Sequence, residues 1–199
     1  AHAIQLCKEF VNNEKFLVFL GDNIIQKSIN EFALKFEKSN FDATVLLCKV
    51  DNPSRFGIAS VKEGKIIKII EKPKNPSSDL AVTGIYFLSS KIFDIIDNLK
   101  PSWRNELEIT DALDILLEKN HNLNYEIITD YWKDTGTPED IIHANGQLIE
   151  KMDPFFFGVQ EDNVKINGKV IVGKNSSIKS DVIINGPVII GENCLINSG

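Results

Sequence analysis

Phe16-Leu-Val-Phe-Leu-Gly-Asp-Asn23 is the stretch that decides the fold, because an apolar run of strand length ends there on a glycine and an acid. A continuous apolar run predicts a strand that is buried on both faces of a sheet. Such a strand delivers Asp22 to the sheet end at which α/β proteins bind ligands. A carboxylate there is a natural ligand for Mg²⁺, which indicates phosphate chemistry. The alternative that Gly21, Asp22 and Asn23 only form a turn stays open, since these residue types dominate turns.

Outward from this strand, the hydrophobic pattern alternates between the periods of helices and strands. Residues 3–11 read as an amphipathic helix, and Ser28 with Glu31 forms a capping box ahead of another. This order predicts an α/β fold with a mainly parallel, doubly wound, Rossmann-like sheet that carries one antiparallel hairpin. The expected strands are 43–50, the hairpin pair 56–61 and 65–70, 81–88 and 123–128; the expected helices are 92–99, 109–117 and one after the N-cap Thr137.

The pattern changes from Val164 onward, where aliphatic residues recur every six positions from Ile166 to Ile196. Five of the six residues that directly follow them are Gly or Asn, which tolerate turn conformations best. A six-residue period is typical of a parallel β-helix in which each hexad forms one flat side of a coil. An ordinary strand meander would not keep one register through six hexads.

We therefore predict a catalytic domain over residues 1–151, a linker over 152–163 and an incomplete hexapeptide-repeat domain over 164–199. The three phenylalanines Phe155, Phe156 and Phe157 are expected to dock the two modules together rather than to bind a ligand. The chain starts without Met and stops within a repeat, so we expect a fragment.

Composition limits the classes of function. The 199 residues are 43% hydrophobic and 25% charged, which is typical of a globular protein with a sizeable core. The net charge of −6 argues against nucleic acid as a partner, because a polyanion is usually bound by a basic face. No apolar run reaches the length of a membrane span, and no leader opens the chain. Three scattered cysteines predict no disulfide framework, and the cytoplasm is the expected location.

A second acid resembles Asp22 in its setting. Asp134 lies in Trp132-Lys-Asp-Thr-Gly136, again with a glycine after a strand-like stretch. Two acids at the ends of separate strands can converge on one metal ion, as phosphoryl and nucleotidyl transfer requires. Convergence itself cannot be derived from a single sequence.

Other residues suit a phosphorylated sugar. In Glu71-Lys72-Pro73 the proline biases Lys72 toward an extended backbone, so Glu71 and Lys72 project in different directions. The acid can accept hydrogen bonds from sugar hydroxyls, and the ammonium can hold a phosphate. Arg104 is a possible phosphate clamp, and Gly57 and Gly84 would let backbone approach a ligand. Taken singly, each of these residues has an ordinary structural explanation as a solvated charge, a bulge or tight packing.

Six motifs occur in order across residues 1 to about 150. They are Leu20-Gly-Asp-Asn23, Arg55-Phe-Gly57, Glu71-Lys-Pro73, Val82-Thr-Gly-Ile-Tyr86, Glu106-Leu-Glu-Ile-Thr-Asp111 and Trp132-Lys-Asp-Thr-Gly-Thr-Pro138. In these motifs and their order the chain resembles the sugar-1-phosphate nucleotidylyltransferases, and within that family the glucose-1-phosphate thymidylyltransferases. The tail resembles the left-handed β-helix of longer members.

The resemblance implies Mg²⁺-dependent transfer of a nucleotidyl group from dTTP or UTP to a sugar 1-phosphate, above all glucose 1-phosphate, with release of pyrophosphate. Both reactants are anionic, so positioning and charge neutralisation are the main work of the protein. The implied roles are Mg²⁺ ligation by Asp22 and Asp134, phosphate contact by Lys72 and Arg104, sugar contact by Glu71, Gly57 and Gly84, and pocket lining by Val82, Thr83 and Trp132. The first four are the predicted catalytic residues.

The sequence departs from the family in one respect. The N-terminal glycine-rich loop that cradles the triphosphate, and the segment that reads the base, have no match in these 199 residues. We therefore expect the chain alone to be inactive. A catalytically silent subunit that binds nucleotide sugars, and a bifunctional enzyme with acetyltransferase activity on the β-helix, stay open as alternatives. A homo-oligomer, a trimer or tetramer, is implied by resemblance only.

Overall fold

The computed structural model describes residues 1–198, so the last residue of the predicted repeat, Gly199, lies outside the described part. The chain forms two compact units, of which the first is Ala1–Asp134 and the second begins at Thr135. The helix over Pro138–Lys151 thus belongs to the second unit. The domain limits expected at 151/152 and 163/164 stay predictions.

The first unit alternates strands and helices, as the hydrophobic periods predict. Residues 3–11 form two short helices instead of one, with Cys7 between them. The elements are α1 (His2–Gln5), α2 (Lys8–Val11), β1 (Phe16–Phe19), β2 (Asn23–Ile25), α3 (Asn30–Lys38), β3 (Ala43–Lys49), a 3₁₀ turn (Pro53–Arg55), β4 (Gly57–Lys62), β5 (Lys65–Glu71), β6 (Leu80–Leu88), α4 (Lys91–Ile96), α5 (Ile109–Glu118), β7 (Leu123–Ile128) and β8 (Trp132–Asp134).

The main sheet has the strand order β5-β4-β6-β3-β7, and β1 also pairs with β6. Strand β6 is antiparallel to β1, β3 and β4, and among the described pairs of this sheet β3 with β7 is the parallel one. The α/β class is confirmed, but the prediction of a mainly parallel sheet is wrong. A parallel pair needs a long crossover, whereas the chain runs from β3 to β6 through a hairpin and short loops.

The sheet opens along one edge of β6. Strand β3 covers the opposite edge, so β1 and β4 share the remaining one: β1 pairs with residues 85–88 and β4 with Ala81. The segment 82–84 lies between them. On the β3 side the register also shifts there, because Val45 opposes Tyr86 while Leu47 opposes Val82. Bulges of this kind are common next to active sites.

Side chains of the sheet alternate between two apolar clusters, as the strand period of two requires. Val45 and Leu47 of β3 belong to one cluster, and Leu46 between them belongs to the other. Strand β1 differs from the prediction that it is buried on both faces. Its residues Leu17 and Phe19 are 39% and 41% exposed. This face of β1 is therefore only partly covered by the described residues.

The two predicted helix starts have different outcomes. Helix α6 (Pro138–Lys151) begins as expected, since Thr137 Oγ1 accepts a hydrogen bond from the Asp140 N–H at 3.2 Å. The capping box at Ser28 is not formed. Helix α3 begins at Asn30, and Ser28 Oγ instead accepts from the Asn30 N–H at 3.4 Å, which is the local turn that serine hydroxyls often make.

The second unit continues from α6 into short strands that pair in parallel with an offset of 18 residues, or three hexads, as in Lys165 with Ile183. The aliphatic residues of the repeat, such as Val172, Ile178 and Ile190, are buried together. The strands are β9 (Val159–Gln160), β10 (Lys165–Asn167), β11 (Val170–Val172), β12 (Ser177–Ile178), β13 (Ile183–Asn185), β14 (Val188–Ile190) and β15 (Leu195–Ile196).

Across residues 1–198, no helix combines the length and the apolar character that a membrane span requires. The three cysteines, Cys7, Cys48 and Cys194, are free thiols.

Candidate active site

A cavity of about 240 Å³ lies at the opening of the sheet in the first unit. Its walls come from the ends of β4 and β5, the turn between β1 and β2, the middle of β6, the start of α5 and the strand β8. Eight of the ten residues predicted for the site line this cavity: Asp22, Gly57, Glu71, Lys72, Val82, Gly84, Trp132 and Asp134.

Strand pairing brings the two predicted metal ligands together. Strands β2 and β8 are antiparallel, with Asn23 opposite Asp134, so Asp22 lies one residue from the partner of Asp134. Burial raises the pKa of Tyr86 beneath them, and the charges of Glu71, Asp22 and Asp134 raise it further. Three carboxylates therefore lie close enough to act on one phenol.

The pair of aspartates fits a magnesium ion of the kind used in phosphate chemistry. Such an ion is held by one or two carboxylates and takes its other ligands from substrate phosphates and water. In the part of the chain that the structure describes, no three His, Cys, Asp or Glu residues form a metal-binding group. The two carboxylates fit an ion that a bound ligand would share, and Mg²⁺ ligation by Asp22 and Asp134 stays a prediction.

Glu71 is the third carboxylate of the cavity and is largely buried. Its Oε2 accepts a hydrogen bond from Thr110 Oγ1 at 2.9 Å, and its Oε1 lies 3.5 Å from Arg104 Nη1. Burial raises the pKa of Glu71, with a smaller rise from the charge of Glu108; the Thr110 hydrogen bond, Lys72 and Arg104 act in the opposite direction. One of the two oxygens is thus oriented by α5.

Lys72 lines the cavity, but its backbone differs from the prediction. The φ angle is +41°, in the left-handed region, where an extended conformation was expected before Pro73. The Lys72 N–H donates to the Phe56 carbonyl at 3.0 Å, a contact that continues the pairing of β4 and β5 by one residue. A left-handed backbone at a residue other than Gly, Asn or Asp costs about 1 kcal/mol, and strain of this kind clusters at functional sites.

Two predicted residues, Thr83 and Arg104, do not line the cavity. Thr83 is fully buried, and its hydroxyl has no partner in the described chain. It lies between Val82 and Gly84, which both line the cavity, so strand alternation directs Thr83 to the other face. The prediction that Thr83 shapes the pocket directly is therefore wrong.

Arg104 is held next to the cavity by acids. Its Nη1 lies 3.2 Å from Glu108 Oε1, a residue of the cavity wall, and its Nη2 lies 3.3 Å from Glu106 Oε2. With Glu71 this makes three carboxylates around one guanidinium. To contact a phosphate, Arg104 would have to exchange part of this set, so its predicted role stays a prediction.

Both site glycines allow close approach. A Cβ on Gly57 would lie 2.4 Å from Thr110 Cγ2 and 3.1 Å from Glu71 Oε2. A Cβ on Gly84 would lie 2.4 Å from Asn23 Nδ2. The partners are protein side chains, so tight packing, the structural alternative, explains both glycines.

Sequence reasoning missed several residues of the cavity wall, among them Asn23, Tyr86, Glu108 and Thr110. A signal was present for all four, since each lies within one of the motifs quoted above. Tyr86 also follows Gly84 at the strand period of two. The contacts of Asn23 to Gly84 and Trp132 gave no signal, because these residues are far away in sequence.

Residues 1–151 match the family model described as "Nucleotidyl transferase". The chain belongs to the nucleotidyl transferase family. The match covers the whole first unit, so the cavity lies within the matched domain. The predicted resemblance is confirmed.

Curated members of the nucleotidyl transferase family give the same relationship. The chain is 39% identical over 177 residues to the low-salt glycan biosynthesis nucleotidyltransferase Agl11 of Haloferax volcanii, covering 88% of this chain and 50% of the relative. It is 34% identical over 185 residues to a glucose-1-phosphate thymidylyltransferase of Streptomyces antibioticus, covering 92% and 52%. The chain thus spans about half the length of the curated relatives it matches.

A solved structure supports the fold of this nucleotidyl transferase domain. It is a Bacillus anthracis crystal structure, provisionally described as a glucose-1-phosphate thymidylyltransferase in complex with sucrose. The TM-score is 0.70 at 43% identity, with 78% of this chain and 63% of that chain covered. The shared fold is Rossmann-like with a mixed, curled sheet.

Proposed function

We propose that this nucleotidyl transferase domain carries the sugar-phosphate half of a sugar-1-phosphate nucleotidylyltransferase site. The observation that supports this most is the convergence of Asp22 and Asp134 on the cavity that Glu71 and Lys72 also line. Two carboxylates for a cation, one carboxylate for hydroxyls and one ammonium for a phosphate are the groups that a sugar 1-phosphate needs.

The proposed reaction transfers a nucleotidyl group from dTTP or UTP to glucose 1-phosphate and releases pyrophosphate. Mg²⁺, held by Asp22 and Asp134, would neutralise phosphate charge when bound. Lys72 contributes a point charge for the sugar phosphate, and Glu71, oriented by Thr110, accepts hydrogen bonds from sugar hydroxyls. These residues act by positioning both anions for in-line attack.

In this proposal Arg104 also contacts the sugar phosphate, after it gives up part of its contacts to the three surrounding carboxylates. The cluster contains Glu71, so exchange of Arg104 toward a phosphate would free Glu71 Oε1 for a hydroxyl. In this proposal one movement would prepare both contacts. The choice of base and sugar is taken from the resemblance alone.

The proposal extends to the second unit and to the assembly. We propose that its hexads form a left-handed parallel β-helix, since strands three hexads apart pair in parallel around a buried aliphatic interior. We propose a homo-oligomer and a cytoplasmic location on the resemblance, with the free thiols of Cys7, Cys48 and Cys194 in keeping with the latter.

A pyrophosphate-release assay on the full-length protein tests the function. It pairs dTTP, UTP, GTP and ATP with glucose 1-phosphate, N-acetylglucosamine 1-phosphate and mannose 1-phosphate, with and without Mg²⁺. We expect release with dTTP or UTP and glucose 1-phosphate, only with Mg²⁺ present, and none from the 199-residue chain alone. Nucleotide-sugar binding without any pyrophosphate release would instead support a silent regulatory subunit.

A further inference from the structure

Asn23 is a buried polar residue, 8% exposed, that makes side-chain hydrogen bonds to three parts of the site. Its Oδ1 accepts from the Gly84 N–H at 2.9 Å and from Trp132 Nε1–H at 2.8 Å. Its Nδ2 donates to Asp22 Oδ1 at 2.9 Å. One side chain therefore connects the turn before β2, the middle of β6 and the strand β8.

The orientation of the Asn23 amide follows from its partners. Gly84 N–H and the Trp132 indole can only donate, so the amide atom facing them has to be the oxygen. Asp22 as a carboxylate can only accept, so the atom facing it has to be the nitrogen. A flipped amide would lose all three hydrogen bonds, which makes Asn23 a rigid connector.

Gly84 leaves the space that the Asn23 side chain occupies. A Cβ at Gly84 would lie 2.4 Å from Asn23 Nδ2, 2.8 Å from Asn23 Cγ and 2.9 Å from Leu20 Cδ1. Real Cβ atoms do not approach other atoms so closely. The absence of a side chain at Gly84 and the presence of the amide at Asn23 are parts of one arrangement.

We propose that Asn23 is the positioning residue of the site, which holds the Asp22 carboxylate in place and ties it to β8, the strand that carries Asp134. Trp132 lies two residues before Asp134 in β8, and Asn23 is the strand partner of Asp134. The side-chain bond to Trp132 and the backbone pairing therefore act on the same short strand. This inference rests on the proposed function, because it assigns Asp22 and Asp134 the ligand role.

Two variants separate the functions of the Asn23 amide. Asn23→Ala removes all three hydrogen bonds. Asn23→Asp has the same shape and keeps oxygen acceptors for Gly84 and Trp132, but it cannot donate to Asp22 when ionised and places a like charge beside it. Asn98→Asp is the matched control, since Asn98 is exposed just after α4 and its amide donates to the Asp94 carbonyl of that helix, at 2.9 Å.

The first measurement is hydrogen exchange of the two indole N–H groups by NMR, in the 199-residue chain. Trp103 is 81% exposed and serves as an internal reference for fast exchange. We expect Asn23→Ala to speed exchange at Trp132 by about tenfold, the effect of losing one hydrogen bond of about 1.4 kcal/mol. Asn23→Asp should keep the protection, as should Asn98→Asp.

The second measurement is steady-state kinetics in the full-length protein. We expect Asn23→Asp to lower kcat about a hundredfold, while the KM for sugar 1-phosphate changes less than about threefold, since Glu71 and Lys72 are untouched. Wild-type kcat in Asn23→Asp, or unchanged Trp132 exchange in Asn23→Ala, would overturn the proposal.

A Mn²⁺ titration of the 199-residue chain with glucose 1-phosphate, followed by electron paramagnetic resonance, provides a readout apart from activity. We expect Asn23→Asp to alter the bound-Mn²⁺ spectrum and Asn98→Asp to leave it unchanged. An unaltered spectrum in Asn23→Asp would overturn the proposal, even if the wild-type protein releases pyrophosphate. Absence of pyrophosphate release in the wild-type protein, with the spectrum altered as expected, would refute the proposed function alone.

Discussion

Asn23 and Asp134 are direct partners in the antiparallel pair of β2 and β8, although most of the first unit lies between them in sequence. This pairing places Asp22 and Asp134 beside the same opening in the main sheet. The opening lies where β1 and β4 share one edge of β6, since β1 pairs with residues 85–88 and β4 with Ala81. The site thus depends on strand pairing more than on any loop.

Substitution of either aspartate by asparagine should lower activity strongly and leave the fold intact. We expect Asp22→Asn and Asp134→Asn each to lower kcat/KM in the full-length protein by about 10²–10³-fold, because a cation loses a charged ligand. The unfolding free energy should change little, since the substitution also removes repulsion between neighbouring acids. Asp97→Asn, at an exposed ion pair with Lys8, is the control and should keep wild-type activity.

Removal of the metal ion by a chelator tests the same assignment of the two aspartates as ligands. EDTA should stop pyrophosphate release in the wild-type protein, and added Mg²⁺ should restore it. Restoration of the Asp134→Asn variant by the same Mg²⁺ concentration would contradict its assignment as a ligand.

Gly57 should tolerate a methyl group only if Thr110 becomes smaller. Gly57→Ala places a Cβ 2.4 Å from Thr110 Cγ2, and such overpacking costs about 1–3 kcal/mol. Thr110→Ser removes that methyl and keeps the hydroxyl that donates to Glu71. Urea unfolding should therefore show that the double variant regains most of the lost stability. A double variant no more stable than Gly57→Ala would exclude this contact as the cause.

Glu71 should lower the stability of the folded state at neutral pH and strengthen the binding of glucose 1-phosphate. Burial raises the pKa of Glu71 above its ordinary value of 4.5, so the folded state holds its proton to higher pH than the unfolded state. Stability from this residue is complete below pH 4.5 and decreases as pH rises through the folded pKa. Glu71→Gln should flatten this slope in chemical unfolding and be at least as stable as wild type at pH 7, yet bind glucose 1-phosphate more weakly.

The control for this pH dependence is Glu118→Gln, which changes an exposed acid on α5. Its unfolding curve should keep the wild-type slope between pH 4.5 and 7. A Glu71→Gln slope equal to that of wild type would contradict the raised pKa.

Asp42 should show the opposite dependence. Burial alone would raise its pKa, but hydrogen bonds from Lys91, the Asn122 N–H and His121 outweigh that and hold the pKa below 3.8. Its stabilisation is therefore present above pH 3.8 and lost as pH falls through the folded pKa. Asp42→Asn should cost about 1–3 kcal/mol at pH 7 and progressively less in acid, whereas Asp79→Asn, at an exposed ion pair, should cost little at either pH.

Neighbouring residues of the repeat should differ sharply in their effect on the second unit. Ile190 is 8% exposed and pairs with Val172 in the interior, whereas Ile189 is 47% exposed. Ile190→Ala should cost about 2–4 kcal/mol and Ile189→Ala less than about 1 kcal/mol. Hydrogen exchange of residues 170–190 reports this directly, and equal effects would contradict the inward and outward alternation.

Much of the local structure follows from the sequence because backbone geometry sets short periods. The strands β3, β4, β5, β6 and β7 lie where alternating or continuous apolar runs predict them, and the N-cap at Thr137 forms as expected. The six-residue repeat appears as parallel pairing at an offset of three hexads. Eight of ten predicted site residues meet in one cavity, because the main sheet and the separate β2–β8 pair bring their motifs together.

The predictions that failed have both local and long-range causes. The capping box at Ser28 competed with a tighter turn, and the left-handed Lys72 is held by a bond to Phe56 that the preference of residues before proline does not include. Thr83 was misassigned because a motif names neighbours in sequence, while a strand sends neighbours to opposite faces.

The sequence by itself determined which residues form strands, helices and hexads, and which residues carry charge to the strand ends, since these depend on periods of a few residues. Only the tertiary structure decided the direction of strand pairing, the opening beside β6 and the bonds of Asn23 to Gly84 and Trp132. Such contacts join residues far apart in the chain, and their geometry is set by the packing of the whole sheet. The deciding stretch Phe16 to Asn23 therefore identifies the site, while the fold completes it.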